Sequence, residues 1–385
     1  MTTNKTEIRT AIAKRWQKAQ ALMKDHGIDL LMITDDHNDF YFTNNKMSST
    51  WKGRSRPLFF FLPAEGQPVS LLHEFKVGAA KGVSVVNDLR SHKQLDYSPV
   101  QEVAEIVKDL CTGKMTVGVE LGHEQWMGMP VGHYEELKRE LADVTFVDAT
   151  ALLWQLRIIK DELEIDSLRQ ACTVHGRAYD KLFTIIEPGM SEKDVFRKMG
   201  AAVFEEGGDQ LGFFIISSGM GNYEKISGMP TDRKIEPGDM IWIDSGVEVN
   251  RYNSDFSRAG VIGGPTSKQE EMQKAIHELT LKTIDTIRAG VTASHVARVC
   301  EKEANKSNLG ISFSAGRIGH GVGLMVTEPP SIALYDDTVL ETGMVLAIEP
   351  GKVTQEGIFH VEENVLVTDR GAERLTSCDR HLRSI

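Results

Sequence analysis

The chain has 385 residues, 41% of them hydrophobic and 26% charged, with a formal net charge of −11. That length suffices for two domains with well-buried cores, and an acidic chain whose Lys and Arg form no long run argues against nucleic acid or an anionic membrane as partner. No stretch reaches the ~18 apolar residues of a membrane span and the start, Met1 to Lys5, lacks a signal-peptide core, so a cytoplasmic location is expected.

In chain order, residues 1–155 alternate helix and strand signals. Ile8 to Gly27 reads as an amphipathic helix closed by glycine. Strands are expected at Leu30–Thr34, Leu58–Leu62, Val69–Leu72, Thr116–Val119 and Val144–Val147. Helices at Val100–Leu110 and Gly132–Leu141 separate some of them. The pattern is that of an α/β domain without a glycine-rich nucleotide loop. Before the strand at Leu58, the loop Lys46–Pro57 gathers cationic and aromatic residues, among them Trp51, Arg54 and Arg56.

From residue 156 to 385 the pattern repeats itself. Helical patterns at Ala178–Ile186 and Leu279–Ile287 each run into a glycine turn, at Gly189 and Gly290. Each turn opens a second helix, with Ser191 or Thr292 placed as its N-cap. An apolar run then ends in an acid six residues after a glycine: Gly238 to Asp244, and Gly343 to Glu349. A second acid follows, Asp255 at plus eleven and Glu362 at plus thirteen. Such separations fit a hairpin or neighbouring strand that returns one carboxylate to the other. Single acids at strand ends are ordinarily solvated turn residues. Four in duplicated positions would repel one another, and a multivalent cation is the simplest way to hold them together. With His320, the set Asp244, Asp255, His320, Glu349 and Glu362 reads as one dinuclear metal site. Phe213–Ile216 reads as a core strand. The four cysteines (Cys111, Cys172, Cys300 and Cys378) have no metal-like spacing, and Cys172 and Cys300 fit buried thiols. His175, His277 and His295 fall in helical patterns and are expected at surface or half-buried structural positions.

The blocks Asp244-Ser-Gly, Tyr252 to Arg258, Gly319-His320-Gly321-Val322-Gly323-Leu324, Ile348-Glu349-Pro350-Gly351 and Val361 to Thr368 occur in an order and spacing that resembles the pita-bread metallopeptidase and creatinase family. The resemblance covers residues from about 160 to the end, and more weakly the amino-terminal half. The stretch Trp154–Glu164 is similar to that family's domain junction. It implies an α+β architecture: a creatinase/prolidase-like α/β domain over 1–155 and a duplicated pita-bread catalytic domain over 156–385. It also implies the same five metal ligands, with Asp255 and Glu362 gripping both ions, and Glu349 as proton acceptor. Four oxygen donors and one imidazole suit two divalent ions chosen among Mn²⁺, Fe²⁺, Co²⁺ and Zn²⁺. In creatinase-like relatives an Arg-Pro in the loop matching Lys46–Pro57 grips a substrate carboxylate in the partner subunit. The resemblance therefore implies a homodimer, with Arg56 and Trp51 as substrate-binding residues.

The chain departs from the peptidase pattern at three places. The segment Ser218 to Asp232 has no histidine where peptidases place one. Thr327 stands seven residues after His320, where another is usual, and His360 stands where an arginine is common. Tyr223, Lys225, Thr327 and His360 are the candidates to replace the missing groups. Three readings follow. The first is a metal-dependent hydrolase of a C–N bond, Xaa-Pro peptidase-like. The second is a non-peptidase relative acting on a small carboxylate or zwitterion: a creatinase- or ectoine-hydrolase-like amidohydrolase, or a dimethylsulfoniopropionate-lyase-like enzyme. The third is an inert binding module.

Overall fold

The structure, a computed structural model, describes residues 5–46, 58–110, 113–307, 309–310 and 316–385. It divides into two compact units, Met1–Arg157 and Ile158–Ile385. No helix among the described residues is long and apolar enough to cross a membrane.

The first unit runs α1 (Lys5–His26), β1 (Leu30–Ile33), α2 (Asp36–Thr43), β2 (Phe59–Pro63), β3 (Val69–His73), α3 (Glu74–Val83), β4 (Asp88–His92), α4 (Val100–Leu110), β5 (Met115–Val119), α5 (Val131–Glu140), β6 (Val144–Asp148) and α6 (Thr150–Arg157). Its six strands form one mixed sheet in the order β4-β3-β2-β1-β5-β6. The central strands β1 and β2 are buried on both faces and so are continuous apolar runs rather than alternating ones. Leu30, Met32, Phe59 and Phe61 pack with Val103 and Val107 of α4 and Leu137 of α5. Three helices (α2, α3 and α6) and one strand had no sequence signal. In α2 six of eight residues are buried, so it has no polar face to give it a period. Its start is fixed by Asp35, whose side chain accepts from the His37 and Asn38 N–H groups. Helix α3 begins in the same way at His73, which accepts from the Phe75 N–H. Strand β4 is polar because it lies at the sheet edge.

The second unit runs α7 (Glu162–Phe183), α8 (Glu192–Glu205), β7 (Gln210–Ser218), β8 (Met240–Val249), β9 (Tyr252–Asn253) and β10 (Phe256–Val261). It continues with α9 (Ser267–Ile284), α10 (Ala293–Lys306), β11 (Gly319–Gly321), β12 (Glu328–Ser331), β13 (Val345–Ile348), β14 (Gly351–Thr354), β15 (Gly357–His360), β16 (Glu363–Thr368), β17 (Gly371–Arg374) and β18 (Arg383–Ser384). The repeat read in the sequence is present as two copies of helix, turn, helix, antiparallel strands. In the first, β8 lies between β7 and β10; in the second, β13 lies between β11 and β16. Ser191 and Thr292 cap α8 and α10 through the same bond to the N–H three residues on. Even the turn hydrogen bonds recur. Gly189 N donates to Ile235 O as Gly290 N does to Leu340 O, both at 2.8 Å. Glu192 N donates to Arg233 O as Ala293 N does to Thr338 O.

Candidate metal centre

Each acidic pair is brought together by a hairpin. In the first copy, Asn250 and Arg251 both have positive φ, at 52° and 74°, and join Val249 to Tyr252 in a two-residue turn. The chain returns to place Asp255 between β9 and β10, beside β8, which carries Asp244. Sequence reasoning put Asp244 at a strand end. It instead lies inside β8, paired with Ile215 on one side and Ser257 on the other. The apolar run stops at Asp244 because its side chain faces the site, not because the strand stops. In the second copy Glu349 does follow the end of β13, and the β14–β15 hairpin leads back to Glu362.

His320 is held between two glycines that admit no side chain. A Cβ on Gly319 would collide with the carbonyl of Ala347, and one on Gly321 with that of Pro329. The β11–β12 register also shifts between His320 and Gly321, a bulge that turns the imidazole. Its Nδ1 lies 3.0 Å from the Gly321 carbonyl, which can only accept, so Nδ1 carries the proton. The bare Nε2 then faces Asp255 Oδ2 at 3.3 Å and Glu349 Oε1 at 3.8 Å.

One imidazole lone pair thus faces two carboxylates, and four carboxylates share one cavity of about 380 Å³ with it. Two of their oxygens, Asp244 Oδ1 and Glu362 Oε2, are buried without a hydrogen-bond partner. Asp255, His320 and Glu362 can bring ligand atoms within 4.8 Å of one another, as can Glu349, His360 and Glu362. Buried orphan oxygens, an acceptor nitrogen and mutual repulsion are all relieved by cations, so the residues fit a dinuclear divalent centre.

Burial pushes the Asp244 carboxyl up to about 7 and, with the Asp244 charge added, that of Glu349 up to about 8. Asp255 and Glu362 are pushed well up, by burial first and then by the neighbouring acids. Burial, then the Arg317 charge, lowers His320 to about 4. For an acid with a raised folded value, stability is present below the ordinary carboxylate range and is lost as pH rises through the folded value. The metal-free protein should therefore melt at a lower temperature at about pH 8 than at about pH 5. Added Mn²⁺ should raise the melting temperature more at the higher pH, because ligands must be deprotonated. Thermal melts at both pH values check this, and a metal shift independent of pH would contradict it.

Behind the acids the two copies are cross-linked. Asp255 N donates to Asn364 Oδ1 at 2.9 Å and Asn364 Nδ2 donates to Asp255 O at 2.7 Å. The buried Arg258 guanidinium donates to the carbonyls of Ser257 and Glu362 and to Glu363 Oε1. His175, expected at a surface or half-buried structural position, is fully buried: its nitrogens lie 3.0 Å from Ser254 Oγ and 2.9 Å from Ser245 Oγ, the residues beside Asp255 and Asp244.

The remaining candidates divide. Thr327 lines the cavity. His360 does not line it: its Nε2 donates to the Glu349 carbonyl at 3.0 Å and its Nδ1 lies 2.8 Å from Ser257 Oγ, so it ties the backbone of one copy's acid to the other copy's strand. Tyr223 is a correction. It belongs to the hydrophobic core, and its hydroxyl accepts from the Met240 N–H at 3.1 Å, away from the acids. Lys225 is exposed and donates to Asn222. Arg56 and Trp51 lie outside the described residues. Three lining residues were missed: Phe213, Val326 and Arg317. Phe213 is in a strand, as expected, but its ring faces the acids and not the core.

The profile of metallopeptidase family M24 matches residues 166–369, and that of the creatinase/prolidase N-terminal domain matches residues 15–159. The chain is 34% identical over 258 residues to an Xaa-Pro dipeptidase of Pyrococcus horikoshii, covering 66% of this chain and 72% of that protein. It is 29% identical over 371 residues to an Xaa-Pro dipeptidase of Pyrococcus furiosus, covering 96% and 99%. Among solved structures it is similar to the prolidase from Pyrococcus horikoshii OT3, with a TM-score of 0.81 at 26% identity over 96% of this chain and 99% of that one. It is also similar to an Xaa-Pro dipeptidase from Bacillus anthracis, with a TM-score of 0.84 at 25% identity over 97% of this chain and all of that one.

Proposed function

The chain belongs to metallopeptidase family M24, and we propose that it is a dinuclear metal-dependent hydrolase that cleaves the C–N bond of Xaa-Pro dipeptides. The carrying observation is the convergence of Asp244, Asp255, His320, Glu349 and Glu362 on one buried cavity. Two divalent cations held by these residues would lower the pKa of a water and polarise the scissile carbonyl. The chain's own groups do the rest. Glu349, whose carboxylate bound cations would hold ionised, can take a proton and pass it to the leaving nitrogen. Its backbone is fixed by the bond from His360. Phe213 and Val326 offer an apolar wall for a proline ring, and the Thr327 hydroxyl a hydrogen-bonding group.

A second reading is favoured by one observation. Among the described residues His320 is the only histidine lining the cavity, and Thr327 occupies the place of an expected imidazole. Losing a donor to the developing oxyanion commonly costs ~10²–10³ in rate. That favours a small carboxylate or zwitterionic amide over a peptide. The lyase alternative finds no support in the relatives and is set aside, and the five intact donors argue against an inert module. One experiment separates the two readings: metal analysis of the purified protein, with turnover of Xaa-Pro dipeptides beside small zwitterionic amides. We expect two divalent ions per chain and kcat/KM for a dipeptide above ~10⁴ M⁻¹s⁻¹. Turnover of the amides alone would establish the second reading.

The proposal includes a cytoplasmic location, in keeping with the free buried thiols of Cys172, Cys300 and Cys378. It also includes a homodimer in which the loop holding Arg56 completes the partner's site. Mixing an Arg56→Ala chain with an Asp255→Ala chain should then restore activity, since subunit exchange gives some sites both intact parts. A fully active monomer by sedimentation would refute the dimer.

A further inference from the structure

Lys160 and Glu328 form an ion pair at 3.1 Å, and both side chains are only 1% exposed. A pair sealed from water gains little stability over an apolar pair of the same size, because desolvation of both charges offsets their attraction. Its effect here is geometric. Glu328 opens β12, directly after Thr327. One carboxylate oxygen accepts from the Lys160 ammonium and the other from the Met325 N–H at 3.2 Å. Gly323 packs against the same carboxylate so closely that a Cβ there would lie 2.5 Å from Oε2. The other side of this turn is tied to the first copy of the repeat: Asn253 N donates to Gly323 O at 2.9 Å, and Asn253 Nδ2 to Leu324 O at 2.8 Å. Lys160 is itself anchored, its N–H donating at 2.9 Å to the carbonyl of Gly343, the glycine before the run that ends in Glu349. The turn 322–327 thus hangs between the hairpin that leads to Asp255 and a buried charge fixed beside the strand that leads to Glu349. At its end Val326 and Thr327 line the cavity, and Thr327 brings the only hydroxyl that does so among the described residues. A hydroxyl on a single rotatable bond has no reach of its own, so its backbone sets where it stands.

We propose that Lys160 and Glu328 are positioning residues, which hold the turn 322–327 so that the Thr327 hydroxyl is presented to the reacting group of the substrate. This rests on the hydrolase reading and deepens it. Neither side chain lines the cavity, so both act through Thr327 and not on the substrate. A displacement of ~1 Å at a group that meets the reacting atoms costs on the order of 10²-fold in rate, and a turn without its carboxylate anchor is free to move that far.

The test compares the metal-loaded wild type with the double variant Lys160→Met/Glu328→Leu, which puts an apolar pair of similar size in place of the charges. Bound metal and melting temperature should stay near those of the wild type. On Ala-Pro, kcat should fall by about 10–100-fold while KM stays within about threefold, the pattern of an interaction made in the transition state. Thr327→Val should lower kcat by ~10² in the wild type but by no more than about threefold in the double variant, because there the hydroxyl is already misplaced. In hydrogen–deuterium exchange the amides of Gly323, Leu324 and Met325 should label at least about tenfold faster in the double variant, with those of β11 and β13 unchanged. Glu328→Gln keeps the shape and loses the charge. It should move the same readouts in the same direction and by less, and it decides the matter if the double variant does not fold. Turn amides that label as in the wild type, or a Thr327→Val loss of equal size in both backgrounds, overturn the proposal. If the wild type turns over neither dipeptides nor zwitterionic amides, the hydrolase reading fails on its own, and the exchange of the turn decides whether the pair positions it.

Discussion

Glu362→Ala should abolish metal binding and at least ~10³ of the hydrolytic rate, and it should nonetheless make the metal-free protein melt at a higher temperature. Glu362 can bring a ligand atom within 4.8 Å of those of Asp255 and His320 and of that of Glu349, so its removal disables both positions. The same side chain is a liability when no cation is present. It is buried, one oxygen has no partner, and three other acids surround it. Removing a buried charge of this kind relieves desolvation and repulsion together. Asp255→Ala should behave alike. Mass spectrometry of bound metal and melts with and without Mn²⁺ check both parts. A variant that still gains stability from Mn²⁺, or keeps wild-type turnover, would show that Glu362 is no ligand.

The next residue along should respond in the opposite sense. Glu363 is fully buried but completely paired: Arg258 donates to it at 2.8 Å, Arg380 donates to both oxygens, and Thr376 donates to Oε2. Glu363→Ala leaves the buried Arg258 uncompensated and should cost ~3–5 kcal/mol of stability, with or without metal. Burial would raise the Glu363 carboxyl, but Arg258 and Arg380 outweigh it and hold it below its ordinary value. Its contribution is therefore present above the unfolded carboxylate range and is lost as pH falls through the depressed value. Chemical denaturation at neutral and acid pH measures the difference between wild type and variant. A variant within ~0.5 kcal/mol of wild type at neutral pH would show that the network does not hold the two copies.

The features legible in the sequence were those a repeat makes visible. Asp244 with Glu349, and Ser191 with Thr292, could be found because one copy predicts the other. The five donors come together because two hairpins and one bulge return them, and hairpins are local enough to read from spacing. The residues that escaped depend on long-range placement. Arg317 stands in no periodic pattern, and only the entry into β11 sets it beside the acids. Phe213 looked like core because an apolar strand residue usually is. Gly212 and the register shift between Leu211 and Phe213 change which side it faces. Tyr223 was a candidate to replace a missing group because it lies in the histidine-free segment Ser218 to Asp232, yet its ring is absorbed by the core. His175 was unreadable because its two serine partners are far along the chain.

The buried histidine also bears on how the floor of the site moves. Its contacts to Ser245 and Ser254, and the Tyr179 hydroxyl 3.1 and 3.0 Å from the carbonyls of Ile243 and Phe256, bolt α7 to the stretches that carry Asp244 and Asp255. Opening those strands would require breaking a solvent-free polar network along with the sheet. In hydrogen–deuterium exchange their amides should thus be among the last to label, while the segment bearing the exposed Met220 and Met229 labels early. Ligand acids on so slow a scaffold do not have to be gathered at each turnover. They wait at fixed positions, so adjustment to different substrates falls to the walls of the cavity and not to its floor.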